Sequence, residues 1–123
     1  MSARIDLKGE LGDIADQLRT QGIPAALDRG KVQLPGVWVT VGAAGISVDG
    51  LDFYTVHARL IVMAADRDAE PVLDDMTEIA NKVLVLWNPD GDMTPVTVGR
   101  DGTNLPALSI PVDFRCEYQE ENP

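Results

Sequence analysis

Residues 53 to 64 read FYTVHARLIVMA, and this stretch decides the fold. Tyr54, Val56, Ala58, Leu60, Val62 and Ala64 are nearly all apolar, while Thr55, His57 and Arg59 fall between them. A period of two residues is that of a strand with one buried face. The segment is therefore read as the central strand of a sheet. Toward its end the odd positions also turn apolar, with Ile61 and Met63, so the second face needs a cover there too, supplied by a helix or by another subunit.

Working outward, Leu7, Leu11, Ile14, Ala15 and Leu18 fall at helical spacing, and Gly22 is placed to stop the run. A helix is expected over about 8 to 21, beginning nearer Leu11 if Gly9 and Gly12 weaken its first turns. Ile23 to Leu27 forms a short strand candidate, separated by the loop Asp28-Arg29-Gly30-Lys31 from the stronger strand Val37 to Val41. Pro35-Gly36 marks the entry to that strand. The glycine-rich segment GAAGISVDG, residues 42 to 50, reads as a flexible hairpin connection into the central strand.

Beyond the central strand, Asp66, Asp68, Glu70 and Pro71 signal a helix start, because carboxylates favour the positive end of the helix dipole and proline loses nothing there. The second helix is expected over about 70 to 87, with Val72, Leu73, Met76, Ile79, Ala80, Val83, Leu84 and Trp87 on one stripe. Asn88-Pro89-Asp90-Gly91 ends it. A short strand at Val96 to Gly99, the turn pair Asp101-Gly102 and a long alternating strand from Leu108 to Cys116 make a closing hairpin. Pro111 must lie on an edge or point its missing donor away from a neighbour. The expected fold is α+β, a mostly antiparallel sheet of about four to five strands with two helices packed on one face. One domain spans residues 1–117, and residues 118–123 form a polar tail expected to fray.

The chain has 123 residues, 20 acidic against 10 basic side chains and a formal net charge of −10, which argues against gripping a nucleic-acid backbone. With 45% hydrophobic but only 5% aromatic residues, the core must be mostly aliphatic. A single cysteine, Cys116, precludes an internal disulfide. The opening MSARIDLKGEL lacks the apolar run of a signal peptide, and no stretch approaches the roughly 20 apolar residues of a membrane span, so a soluble protein made in the cytoplasm is expected.

No catalytic or ligand-binding constellation is legible in the residues. Gly42-Ala43-Ala44-Gly45 follows a strand but lacks both the dinucleotide pattern and the P-loop lysine. Asn88, Asp90 and Asp92 begin like a calcium loop without its closing glutamate, so a turn is the simpler reading. Asp66, Asp68 and Glu70 are read as helix-start electrostatics rather than a metal cluster. His57, the single histidine, falls on the face away from the core, and nothing in the sequence brings it beside Ser47, Ser109 or Cys116. Cys116 reads as a small core hydrophobe. Catalytic, cofactor and metal residues are accordingly set at none. Phe53, His57, Arg59, Ile61 and Met63 share the second face of the central strand and are taken as a subunit interface, with Trp38 and Trp87 either there or in the core.

Taken in order, the helix GDIADQLRTQGI, the segment PAALDRG, the strands PGVWVTV and YTVHARLIVMA, the helix PVLDDMTEIANKVL and the closing strand LPALSIPVDF resemble the tail terminator proteins of long-tailed bacteriophages, in particular those of phages infecting actinobacteria. The resemblance covers about residues 10 to 116. It implies a non-enzymatic virion protein at the tail-neck junction. Such a protein forms a hexameric ring on the tail tube, ends polymerisation of the tail tube protein and offers a surface to the head-tail connector or stopper. Genomic DNA would pass its lumen without specific binding, which acidity suits. Two other readings compete: another neck component such as a head-tail stopper, and a small ligand-binding regulatory domain with the 42 to 50 loop at its rim.

Overall fold

The computed structural model describes residues 3–120. In chain order the elements are β1 (Ala3–Arg4), α1 (Leu7–Thr20), β2 (Ala25–Ala26), a 3-10 turn (Arg29–Lys31), β3 (Gly36–Val48), β4 (Phe53–Met63), α2 (Ala69–Leu86), β5 (Thr94–Arg100), β6 (Thr103–Glu117) and β7 (Gln119–Glu120). Five strands form one sheet in the order β2-β3-β4-β6-β5, with β4 at its centre. All neighbours run antiparallel except β2 and β3, because the connection between those two crosses the sheet instead of turning back. The fold is α+β.

The alternation of β4 is realised as expected. Tyr54, Val56, Leu60 and Val62 have no exposed surface and pack with Leu11, Ile14 and Leu18 of α1 and Ile79 and Val83 of α2, so both helices cover one face of the sheet. Val37 and Val39 of β3 and Ile110, Val112 and Cys116 of β6 complete this core. Helix α1 starts at Leu7, earlier than its glycines suggest. Asp6 caps it, its carboxylate accepting from the Gly9 amide at 3.1 Å, and a Cβ on residue 9 would collide with that carboxylate. Its other end closes with Gly22 at φ 78°, where Gly22 N bonds Arg19 O and Ile23 N bonds Leu18 O.

The far end of the outer face is covered by a non-helical segment of the chain itself. Val32, in the segment after the 3-10 turn, is buried with Met63, Val98, Leu105 and Ala107, and Leu34, Trp38 and Ile61 pack around them. Trp38 Nε1 donates to Leu27 O at 3.1 Å and Arg100 Nη1 to Val32 O at 2.7 Å, which ties the segment down.

Residues 42 to 48 depart from the flexible loop expected of them. Strand β3 continues to Val48, and the turn is confined to residues 49–52. Val41 lies opposite Ala58 but Ile46 lies opposite Val56, so five steps along β3 match two along β4 and Gly42 to Gly45 bulge. Three extra residues reverse the alternation of β3. Odd residues face the core before the bulge and even residues after it.

In the closing hairpin Asp101 and Gly102 both have positive φ, 52° and 77°, as a two-residue hairpin turn requires. Strand β5 pairs with β6 only as far as Ser109, so at Pro111 that side of β6 is an edge. Pro111 O accepts from Asp90 N there at 2.8 Å; its nitrogen points the same way, and no ladder bond is lost. The polar tail is held at its start: Gln119 and Glu120 pair with Arg4 and Ala3, and the rings of Tyr118 and Tyr54 lie 5.0 Å apart. The remainder of the expected tail, 121–123, lies outside the described residues.

Candidate functional site on the outer face of the sheet

The reversed alternation after the bulge puts Ser47 on the outer face, opposite Thr55 and diagonal to His57. Ser47 Oγ lies 2.6 Å from His57 Nε2, and His57 Nδ1 lies 2.8 Å from Asp113 Oδ1. Three adjacent strands thus supply a serine, a histidine and an aspartate in line. A neutral imidazole carries one ring proton. With that proton on Nδ1, facing the carboxylate, Nε2 accepts from the serine hydroxyl and both contacts are satisfied.

His57 and Asp113 are directly opposed in the β4–β6 register. Asp113 N donates to Asp90 Oδ2 at 2.6 Å, away from β4, which makes the pair the close, non-hydrogen-bonded kind whose side chains meet readily. The turn after α2 therefore anchors β6 where β5 has ended. The His57 side chain is 25% exposed and that of Asp113 40%, so the constellation is open to solvent on one side. Beside it is a recess of about 160 Å³, lined by Gly42, Ala44, His57, Arg59, Asp90 and Asp113 among others. A Cβ at Gly42 would come within 3.1 Å of Arg59 Cγ and Nε, so glycine makes room for the arginine stem to lie against the bulge. Arg59 Nη1 reaches Ser109 Oγ at 3.4 Å.

The five residues expected at a subunit interface all sit on the outer face, but not alike. Met63 has no exposed surface; it is sealed inside the chain with Val32 and offers nothing to a partner as the chain stands folded. Ile61 is half-buried against the same cluster, and Phe53 is half-buried under the Arg115 guanidinium, 4.2 Å above its ring. His57 belongs to the constellation just described, and Arg59 lines the recess beside it. Trp38 joins the second cluster, while Trp87 meets Phe114 edge-on at 5.4 Å beside the main core.

The other sequence candidates resolve into structure. Gly42 to Gly45 is a bulge inside a strand, Asp90 is a hydrogen-bonded anchor, and Asp68 precedes α2 without a side-chain cap bond while Arg67 pairs with Asp75. Among the described residues no group of three or more His, Cys, Asp or Glu side chains is placed to hold a metal ion. Cys116 is buried on the core side, away from His57, and burial first, then the charge of Glu10, pushes its thiol up to about 11. Sequence reasoning missed the partnership of Ser47 and His57. The glycines at 42 and 45 were its only signal, and they do not reveal how many extra residues the bulge holds.

Several large apolar side chains stand exposed among the described residues. Val48 and Leu51 are 71% and 95% exposed at the β3–β4 turn, and Leu73 and Val85 are 58% and 84% exposed on α2. A groove of about 360 Å³ runs between α2 and the closing hairpin, lined by Leu73, Met76, Leu84, Met93 and Pro95 among others. No helix among the described residues is long and apolar enough to cross a membrane. No match to a protein-family model, a curated protein or a solved structure is found for the chain.

Proposed function

We propose that this chain is a structural subunit of a bacteriophage tail, a tail terminator that forms a hexameric ring on the head-proximal end of the tail tube. The observation that carries the reading is the pair of unlike apolar patches. A protruding turn tipped by Leu51 and a grooved helix face bearing Leu73 suit a contact between different surfaces of identical copies, and such head-to-tail contacts form a ring when the rotation between copies closes. The sequential features of the resemblance also stand in the fold in their order, as a helix, two long strands, a helix and a closing strand.

Charge fits the same role. At −10 the chain is suited to line a passage through which DNA moves without adhering. In this reading the ring ends polymerisation of the tail tube protein, presents its other side to the connector or stopper, and is located in the virion at the tail-neck junction. No membrane and no cofactor enter it.

The decisive experiment is native mass spectrometry with light scattering, on the protein alone and after mixing with its tail tube protein. A six-subunit species, formed alone or on meeting the tube protein, is the expected outcome. A monomer that persists across the accessible concentration range and ignores the tube protein would overturn the proposal.

A further inference from the structure

We propose that Ser47, His57 and Asp113 form a nucleophilic site that accepts an acyl group from short-chain esters. This inference stands apart from the ring reading, since nothing in it needs a second copy. It rests on three things found together: a serine oxygen 2.6 Å from Nε2, a carboxylate oxygen 2.8 Å from Nδ1, and the exposure of Ser47 to solvent. The first two are the contacts by which an imidazole serves as general base to a hydroxyl and is itself held in the productive tautomer. Each group is borne on a separate strand of one sheet, so the geometry is fixed by ladder hydrogen bonds and not by a mobile loop. The bulge that turns Ser47 outward is of the kind that re-aims side chains beside reactive sites.

The chemistry balances without any further reagent. Ser47 Oγ attacks the ester carbonyl carbon as its proton passes to His57 Nε2, giving a tetrahedral oxyanion. The carbon–oxygen bond to the alcohol then breaks, and Nε2 returns the proton to the departing alcohol, leaving an acyl-serine. Water, giving a proton to Nε2, attacks the acyl carbon, the bond to Oγ breaks, and the proton returns to Oγ as the carboxylic acid leaves. Asp113 takes up no proton; it is a positioning residue that favours the imidazolium formed in between. Ser47 is exposed and lies outside the lining of the recess, so the substrate class is small activated esters of acetyl size, which need no enclosing acyl pocket.

The test uses the full chain with a fluorophosphonate probe and with p-nitrophenyl acetate, reading the adduct by intact mass and peptide mapping. One phosphonyl group on Ser47 is expected. It should be absent from Ser47→Ala and form about 100-fold more slowly in His57→Gln, in line with the usual contribution of a general base. Asp113→Asn should lower kcat for the ester at unchanged KM, with Asp113→Glu recovering part of it, a pattern that simple loosening of the sheet would not give. Melting temperatures of these surface variants report that the fold is kept. The proposal is overturned if no adduct maps to Ser47, or if labelling there is indifferent to His57. Neither result depends on whether the protein forms a ring.

Discussion

Cys116 lies on the core side of β6, 6% exposed, under the first turns of α1. Burial is the main reason its thiol is pushed up to about 11 from an ordinary value near 9, and the Glu10 carboxylate adds to it. Two consequences follow. At neutral pH the group is a protonated thiol, so a thiolate-selective reagent should fail to label the native protein and label it fully once unfolded. In the window from about pH 9 to 11 the unfolded chain gives up its thiol proton while the folded chain keeps it. The folded state then binds more protons, and stability falls as pH rises. Thermal melts across that window should show wild type losing stability more steeply than Cys116→Ala. Equal slopes would mean that the thiol is not buried as described. Tyr54, whose hydroxyl has no hydrogen-bond partner among the described residues, is raised in the same direction, chiefly by burial, so part of the alkaline loss should remain in the variant.

At the scale of elements, the long periodic stretches were legible and the local exceptions were not. The alternation of β4 and β6 and the stripes of α1 and α2 announce themselves because each is a repeated choice of burial over many residues. The start of α1 and the path of β3 each hang on a single contact or a count of residues. Gly9 reads as a helix breaker by propensity, yet its missing side chain is what lets Asp6 cap the helix. Gly42 and Gly45 read as a loop, yet they carry a strand through a bulge whose three extra residues decide that Ser47 faces out. That count is fixed by pairing with β4, a tertiary fact. The same reason hid the constellation at His57, since its partners come from positions 47 and 113, each defined only by register. The cap supplies a clean test. Gly9→Ala gains about 1 kcal/mol of helix propensity but displaces the Asp6 carboxylate, which costs about the same, so the single change should be nearly neutral. In an Asp6→Ala background there is no cap to lose, and Gly9→Ala should stabilise by close to 1 kcal/mol. Denaturant melts of the four proteins measure the difference, and additive effects would show that the cap does not depend on glycine.

At the scale of the whole molecule, two opposing terms set whether copies associate. Apolar surface at the β3–β4 turn and on α2 favours contact, while a charge of −10 on every copy opposes it. The repulsion is screened over about 10 Å at 0.1 M salt and over about 3 Å at 1 M, whereas burial of Leu51 or Leu73 is not weakened by salt. Assembly of the isolated chain should therefore strengthen as salt is raised, the reverse of what a contact built on ion pairs would do. Substitutions separate the contact from the fold. Leu51, 95% exposed, touches almost nothing in its own chain, so Leu51→Asp should leave the melting temperature within a degree or two and abolish the proposed ring. Met63 is the opposite case. Buried with Val32 and Val98, it cannot accept a carboxylate without leaving a charge unpaired in an apolar cluster, so Met63→Asp should cost several kcal/mol and unfold the monomer before any question of assembly arises. Sedimentation at low and high salt, paired with melts of both variants, distinguishes the outcomes. A Leu51→Asp protein that still forms rings would move the contact away from the turn, leaving the grooved face of α2 with Leu73 as the surface to substitute next.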